Sequence, residues 1–393
     1  MTNKEAIVSR PHILAQESLE FRLVGREKTI DTASECFKKI ITHARSTATD
    51  RNQVPMPVCS GLGKTRMLEE GGTILERMKL DPKDVVRVIV PYFNGFSPQS
   101  VERSMPIEAS FSWRLLYRFF LDNNCSFAFD KWFKSRLPRN GDQQTLSGAI
   151  EVIERKLREK RQEPATLYLF LGVDEYQKIE KIGARQKDFK TSLLRELVEV
   201  IADLLCLQSS SLILLPMFAG TDLGVIASGS IANPSHYVTK RIPMNLLTLD
   251  QVFSIVEGNA TYSGLLSHTQ ICRDLFVLGG VPRWVVEYLT AVKKTCVQGE
   301  PVNLDNINEC FVKIWSKYVK CYADSLETRQ LVRLAAFAVS GQQVQERDQF
   351  DEHFKWSRLR DSSLCLLNPS RHSRKILRAG FERHEGYGGF KNV

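Results

Sequence analysis

Ser60-Gly61-Leu62-Gly63-Lys64-Thr65 decides how this chain is read. The stretch follows a short apolar run, Val54 to Cys59, and opens an amphipathic segment, Thr65 to Met78, read as a helix. A Gly-rich turn between a strand and a helix is where backbone N–H groups can wrap a polyphosphate. Gly61 and Gly63 let the backbone approach closely, Lys64 would reach the β and γ phosphates, and the Thr65 hydroxyl would hold Mg²⁺. The full pattern G-x-x-x-x-G-K-[ST] asks for a glycine five residues before Gly63, and that position is Val58. With Pro55 and Pro57 in the preceding run, the turn reads as shortened or altered on its N-terminal side.

Downstream, Thr166 to Val173 is an almost continuous apolar run, as expected of a strand buried on both faces, and it ends in Asp174-Glu175. Acids at the C-terminal end of a buried parallel strand lie where such sheets bind ligands. Asp174 would hold Mg²⁺, and Glu175 would orient and activate the attacking water. The strand Val85 to Phe93 falls between the two motifs in sequence, which fits the NTPase division with a catalytic Glu and an inserted strand. A further apolar strand, Ser211 to Phe218, delivers Thr221 to the same edge, as a sensor of the γ-phosphate or as a plain helix cap. A shorter strand covers Tyr237 to Ile242; its Lys240 and Arg241 are read as surface charge or as cations offered to a phosphate.

Between these strands lie helical patterns. Ile30, Ala33, Phe37, Ile40, Ile41 and Ala44 form one apolar face. Phe111 to Leu121, Leu146 to Arg161 and Phe189 to Leu207 form others. Alternating strands and helices imply a parallel sheet covered on both faces. After about Leu246 the reading is mainly helical: Leu249 to Val256, Gln270 to Leu278, Arg283 to Val292, Ile307 to Tyr318 and Leu326 to Val339. A winged-helix-like module is read over Thr328 to Phe381, with helices Leu331 to Val339 and Phe354 to Leu359 and a strand Ser363 to Leu367. The tail carries Arg371, Arg374, Lys375, Arg378, Arg383 and Lys391. The expected division is therefore a lead-in 1–20, a nucleotide-binding core 21–245, a helical lid 246–296 and a C-terminal region 297–393.

Composition narrows the classes. The 54 Lys and Arg exceed 45 Asp and Glu, a net charge of +9 over 393 residues. This mild excess permits a polyanionic partner without demanding one. The patch Arg155 to Arg161 is interrupted by acids and reads as a solvated helix face or a nuclear localisation signal. No stretch of 18 apolar residues predicts a membrane span, and the first ten residues lack the apolar region of a signal peptide. The nine cysteines, among them Cys206, contain no C-x-x-C pair and are expected to be buried free thiols.

Val24-Gly25-Arg26-Glu27 resembles the V-G-R-E box of AAA+ and STAND ATPases, which implies Arg26 as a nucleotide contact. Gly279-Gly280-Val281-Pro282-Arg283 resembles the G-x-P motif of the STAND lid, which implies that Arg283 reaches the phosphates. A narrower resemblance is to the NTPase module of Crinkler-type proteins. It is carried by Pro57 to Glu70, Phe93-Asn94-Gly95, Ser112 to Tyr117, Gly172 to Gln177 and Phe218 to Thr221, and it spans roughly residues 20–370. The expected fold is α/β, a parallel-sheet P-loop NTPase core of the AAA+/STAND kind (ASCE), followed by a helical lid and a mainly helical, winged-helix-like region. The resemblance implies an ATP- and Mg²⁺-dependent switch module of a secreted effector acting in a host cell or nucleus. It also implies a homo-oligomer or a protein partner. The chain departs from that family in its altered phosphate turn, in the lack of an L-x-L-F-L-A-K-type header, and in ending before a toxin domain would fit. The alternatives are a non-hydrolysing nucleotide-binding scaffold and a nucleic-acid-binding module.

Overall fold

A computed structural model describes residues 21–45, 54–60, 63–93, 95–120, 128–159, 166–183, 192–207, 211–220, 237–295, 303–323, 327–340, 343–344, 348–352, 355–356, 359, 366–369 and 374–377. Two compact units divide the chain. One runs Glu27–Met244; the other takes Asn245–Val393 together with the short stretch ending at Arg26.

The first unit opens with helix α1 (Glu27–Arg45), which buries Ala33, Phe37, Ile40 and Ile41 at helical spacing. Strand β1 (Val54–Ser60) follows, then helices α2 (Lys64–Glu69) and α3 (Gly71–Arg77). The single helix expected over Thr65 to Met78 is thus two, with the break at Glu70, where two glycines weaken helical continuity. Next come β2 (Val85–Pro91), α4 (Ile107–Phe120), α5 (Phe129–Arg136), α6 (Leu146–Arg158), β3 (Leu167–Asp174), the single turn α7 (Glu180–Gly183), α8 (Leu193–Leu207), β4 (Leu212–Gly220) and β5 (Tyr237–Ile242). Every residue of β3 and of β4 is buried, because helices cover both faces of the sheet.

The five strands are parallel, in the order β2-β3-β4-β1-β5. The strand that separates the two motif-bearing strands β1 and β3 in space is therefore β4. The strand between them in sequence, β2, lies at the outer edge. This is the strand order of a P-loop NTPase core with an inserted strand, as the sequence led us to expect.

Helix α8 corrects one expectation. It starts at Leu193, and of the stretch read as helix before it, residues 189–191 lie outside the described residues. Its buried stripe ends at Leu205, so the helical period turns Cys206 and Leu207 outward, and Leu207 is 81% exposed. Cys36, Cys59 and Cys310 are buried free thiols, as expected. In and just after α6, Arg158 pairs with Glu154 at 2.8 Å and Lys156 with Glu159 at 2.5 Å, so two cations of the basic patch are matched by acids, while Lys160 and Arg161 lie outside the described residues.

The loop after β2 is anchored by a fully buried ion pair. Arg114 of α4 makes two bonds to Glu102, Nε–Oε1 at 2.8 Å and Nη2–Oε2 at 2.7 Å. Its Nη1 donates to the Phe96 carbonyl at 2.6 Å, and the guanidinium lies over the rings of Tyr92 and Phe129. Ser110 also donates to Glu102, at 2.6 Å. One turn along α4, Arg118 donates to the Ile89 carbonyl at 2.7 Å on the free side of β2. An aromatic cluster of Tyr117, Phe129, Trp132 and Phe133 packs beneath.

The second unit contains α9 (Leu249–Glu257), α10 (Thr269–Val277), α11 (Pro282–Thr295), α12 (Leu304–Ala323) and α13 (Thr328–Ser340). The buried Asp274 carboxylate of α10 accepts from Tyr288 of α11 at 2.6 Å and from Gln270 at 2.8 Å, tying these helices together. Strands β6 (Gln343–Val344), β7 (Leu366–Pro369) and β8 (Arg374–Leu377) form an antiparallel sheet in the order β6-β8-β7. The first-third-second order is that of the three-stranded sheet of a winged helix, while most of the segment between β6 and β7 lies outside the described residues. Most of the helix expected over Phe354 to Leu359 and the start of the strand expected at Ser363 lie outside the described residues.

Arg114→Met leaves Glu102 buried without its partner and should destabilise the protein by about 3–5 kcal/mol. Urea unfolding of this variant and of Arg114→Met combined with Glu102→Leu checks the assignment. The double variant should lose less than the single one; an equal or larger loss would argue that the pair is not the source of the cost.

Candidate functional site

The C-terminal ends of three adjacent strands come into line because their register is fixed along their whole length. Ser60 of β1 lies opposite Gly220 of β4, and Asp174 of β3 lies opposite Ala219. Gly63 precedes α2 with φ 87°, a left-handed turn residue that sends the chain from β1 into the helix. Lys64 and Thr65, the first residues of α2, are half-buried. The Thr65 hydroxyl donates to Asp174 Oδ2 at 2.9 Å across 109 residues of sequence.

Asp174 is fully buried, and its carboxyl is pushed up to about 7. Burial is the main cause. The Thr65 hydroxyl and the Lys64 ammonium pull the other way, while Glu175 adds to the rise. A hydroxyl and a carboxylate side by side are hard oxygen donors of the kind that hold Mg²⁺ through one protein carboxylate, with phosphate oxygens and water completing the shell. Among the described residues no cluster of three His, Cys, Asp or Glu could hold a metal by itself.

Glu175 follows in a left-handed conformation, φ 56° and ψ 41°, unusual for a residue with a side chain. Its backbone N–H donates to Asp174 Oδ1 at 3.1 Å. Its carboxylate Oε2 accepts from Gln177 Nε2 at 2.8 Å and lies 3.5 Å from the Lys178 ammonium. Lys178 in turn sits 5.4 Å from the centre of the Phe93 ring, in the turn after β2. Gln177 also crowds β4: a Cβ on Gly220 would come within 2.5 Å of Gln177 Oε1 and of the Tyr176 ring. Sequence reasoning gave Gln177, Lys178 and Gly220 no role. The one available signal was their position two and three residues after Glu175, and directly before Thr221.

Other expected residues stand as follows. Gly61 and Thr221 lie outside the described residues. Val58 is 1% exposed inside β1 and is paired with Phe218 on one side and Arg241 on the other. Since β1 continues to Ser60, the turn to Lys64 is short, and Val58 is not part of it. Val58→Gly would open a hole in the sheet. Lys240 and Arg241 are exposed on the edge strand β5. Within the second unit, Arg26 is buried, with its guanidinium donating to the Asn245 carbonyl. Arg283 is exposed in the first turn of α11. The glycines before it serve packing: a Cβ on Gly280 would lie 1.9 Å from the Leu247 carbonyl oxygen.

No protein-family model matches the chain, and no curated protein matches it. Among solved structures, the chain is similar to Drosophila ORC bound to DNA, at 14% identity over 96% of this chain and 92% of that one, with a TM-score of 0.38. It is similar to the Aeropyrum pernix ORC1 protein in complex with DNA, at 14% identity over 92% and 90%, with a TM-score of 0.41. C. elegans PCH-2 is a third, at 12% identity over 77% and 72%, with a TM-score of 0.40. The fold assignment stands on strand order and motif placement, to which likenesses at this level add nothing. No helix among the described residues is long and apolar enough to cross a membrane.

The raised Asp174 carboxyl makes a signed prediction. Its ordinary value is 3.8 and its folded value about 7, so between those limits the folded protein holds a proton that the unfolded chain has lost. The contribution to stability therefore falls as pH rises through that window, by on the order of 4 kcal/mol. Thermal melts of the nucleotide-free protein should show this decline, and Asp174→Asn should remove it. An unchanged pH slope in the variant would show that the carboxyl does not titrate there.

Proposed function

We propose that this chain is a nucleotide-binding module of the P-loop ATPase type, acting on Mg·ATP. The observation that carries the reading is the Thr65 hydroxyl hydrogen-bonded to the buried Asp174 carboxylate at the C-terminal edge of adjacent parallel strands. Lys64 would bind the β and γ phosphates, with Gly61 and Gly63 shaping the turn. Thr65 and Asp174 would hold Mg²⁺, which when bound neutralises phosphate charge. Glu175 would take a proton from water as the water oxygen bonds to the γ-phosphorus and the bond to the β-phosphate oxygen breaks. ATP and water then become ADP and phosphate. Thr221, Arg26 and Arg283 enter this reading on their sequence motifs alone.

In its finer form the proposal follows the Crinkler-type resemblance: an ATPase switch of an effector protein, with 21–245 as core, 246–296 as lid and 297–393 as the C-terminal region. The short β1-to-α2 turn supports the rival scaffold reading, and the experiment separates the two. Calorimetry with Mg·ATP should give saturable binding that Lys64→Ala abolishes, and Glu175→Gln should keep binding while losing turnover. Absence of binding by the unaltered protein would leave the scaffold reading. Binding with turnover intact in Glu175→Gln would reject Glu175 as the base.

A second reading rests on the β6-β8-β7 sheet and its basic hairpin, which suit a nucleic-acid partner. Duplex DNA binding measured by fluorescence anisotropy should then weaken steeply as salt is raised. Retention that ignores salt would count against it.

A further inference from the structure

We propose that Gln177 and Lys178 are positioning residues that fix the Glu175 carboxylate for water activation, and that Gln177 links this carboxylate to the end of β4. The inference rests on the ATPase reading above. Three observations converge on it.

The first is the asymmetry of the Glu175 carboxylate. Both of its side-chain partners, Gln177 Nε2 at 2.8 Å and Lys178 Nζ at 3.5 Å, engage the same oxygen, Oε2. Among the described residues no side-chain partner engages Oε1, which is left as the acceptor. A general base needs one oxygen aimed at the proton it removes and a geometry that does not wander; engaging the other oxygen twice supplies this.

The second is the backbone. Glu175 sits in a left-handed conformation that is unfavourable for a residue with a side chain. Its N–H bond to Asp174 and the short 3₁₀ turn Tyr176–Lys178 hold it there. That turn brings Gln177 and Lys178 back to the carboxylate two and three residues earlier.

The third is what holds the two residues in their turn. Lys178 lies against the Phe93 ring, in the loop whose neighbouring carbonyls at Phe96 and Pro91 are gripped by buried Arg114. A side chain at Gly220, the last residue of β4, would come within 2.5 Å of Gln177 Oε1 and of the Tyr176 ring, so a larger residue there must displace one of them. The β4 end and the Gln177 amide are thus near enough for a substitution at Gly220 to disturb the partner of the carboxylate. No such coupling exists for a Glu that merely projects into solvent.

The test is steady-state ATP hydrolysis with parallel binding of a fluorescent ATP analogue. Gln177→Ala and Lys178→Ala should each lower kcat roughly 10-fold to 100-fold while KM and analogue affinity stay within about twofold. Lys178→Arg, which keeps the cation and its ring contact, should recover most of the loss. Gly220→Ala should reproduce the Gln177→Ala effect. Unchanged or raised kcat in the two alanine variants would overturn the positioning role, as would equal losses in kcat and in analogue binding. Absence of hydrolysis by the unaltered protein would overturn the ATPase reading, and this proposal with it. Normal hydrolysis with insensitive variants would overturn this proposal alone.

Discussion

The parallel register of β4 is the constraint on which the rest of the first unit depends. Paired with β3 on one side and β1 on the other, β4 sets the level at which both neighbours end. Chemistry drawn from positions more than a hundred residues apart can meet only because these ends coincide. Thr65 and Asp174 touch as a result of that register, not of local chain geometry. The depth of burial in β3 and β4 makes the register hard to slip, since moving a strand by one residue would exchange its two faces.

Buried charge is handled in two opposite ways in this unit. Glu102 and Arg114 satisfy each other within a closed set of donors, so that pair is a finished structure. Asp174 is as deeply buried but, among the described residues, is met by one side-chain hydroxyl and one backbone N–H, and burial raises its carboxyl. The contrast separates scaffold from site. A buried acid with its bonding incomplete keeps its capacity for something that arrives later.

Much of this was readable from residues alone. The continuous apolar runs at Leu167 to Val173 and Leu212 to Phe218 announced doubly covered strands, and the Asp174-Glu175 pair marked the end of one of them. Sheet order was legible only by way of the motifs, because hydrophobic pattern does not say which strand neighbours which. Val58, where the full pattern wants a glycine, lies inside β1 as the apolar run implied, and β1 extends one residue beyond that run, to Ser60. Cys206 misled because an apolar run does not reveal on which residue a helix turns its back to the core. Gln177, Lys178 and Gly220 were invisible for another reason. Their significance is a matter of distances across a turn and between strands, and none of the three has a residue type that points to chemistry.

The arginines of α4 have a consequence for how this protein can assemble. The free carbonyls of β2 at Ile89 and Pro91 face the side where a sixth strand would add, and Arg118 and Arg114 already donate to them. Pro91 itself brings no N–H to that side. The C-terminal end of this border is thus partly capped, which disfavours continuation of the sheet by a second copy there. Contacts on that flank then fall more readily to side chains and helices, which are surfaces that can be specific and reversible.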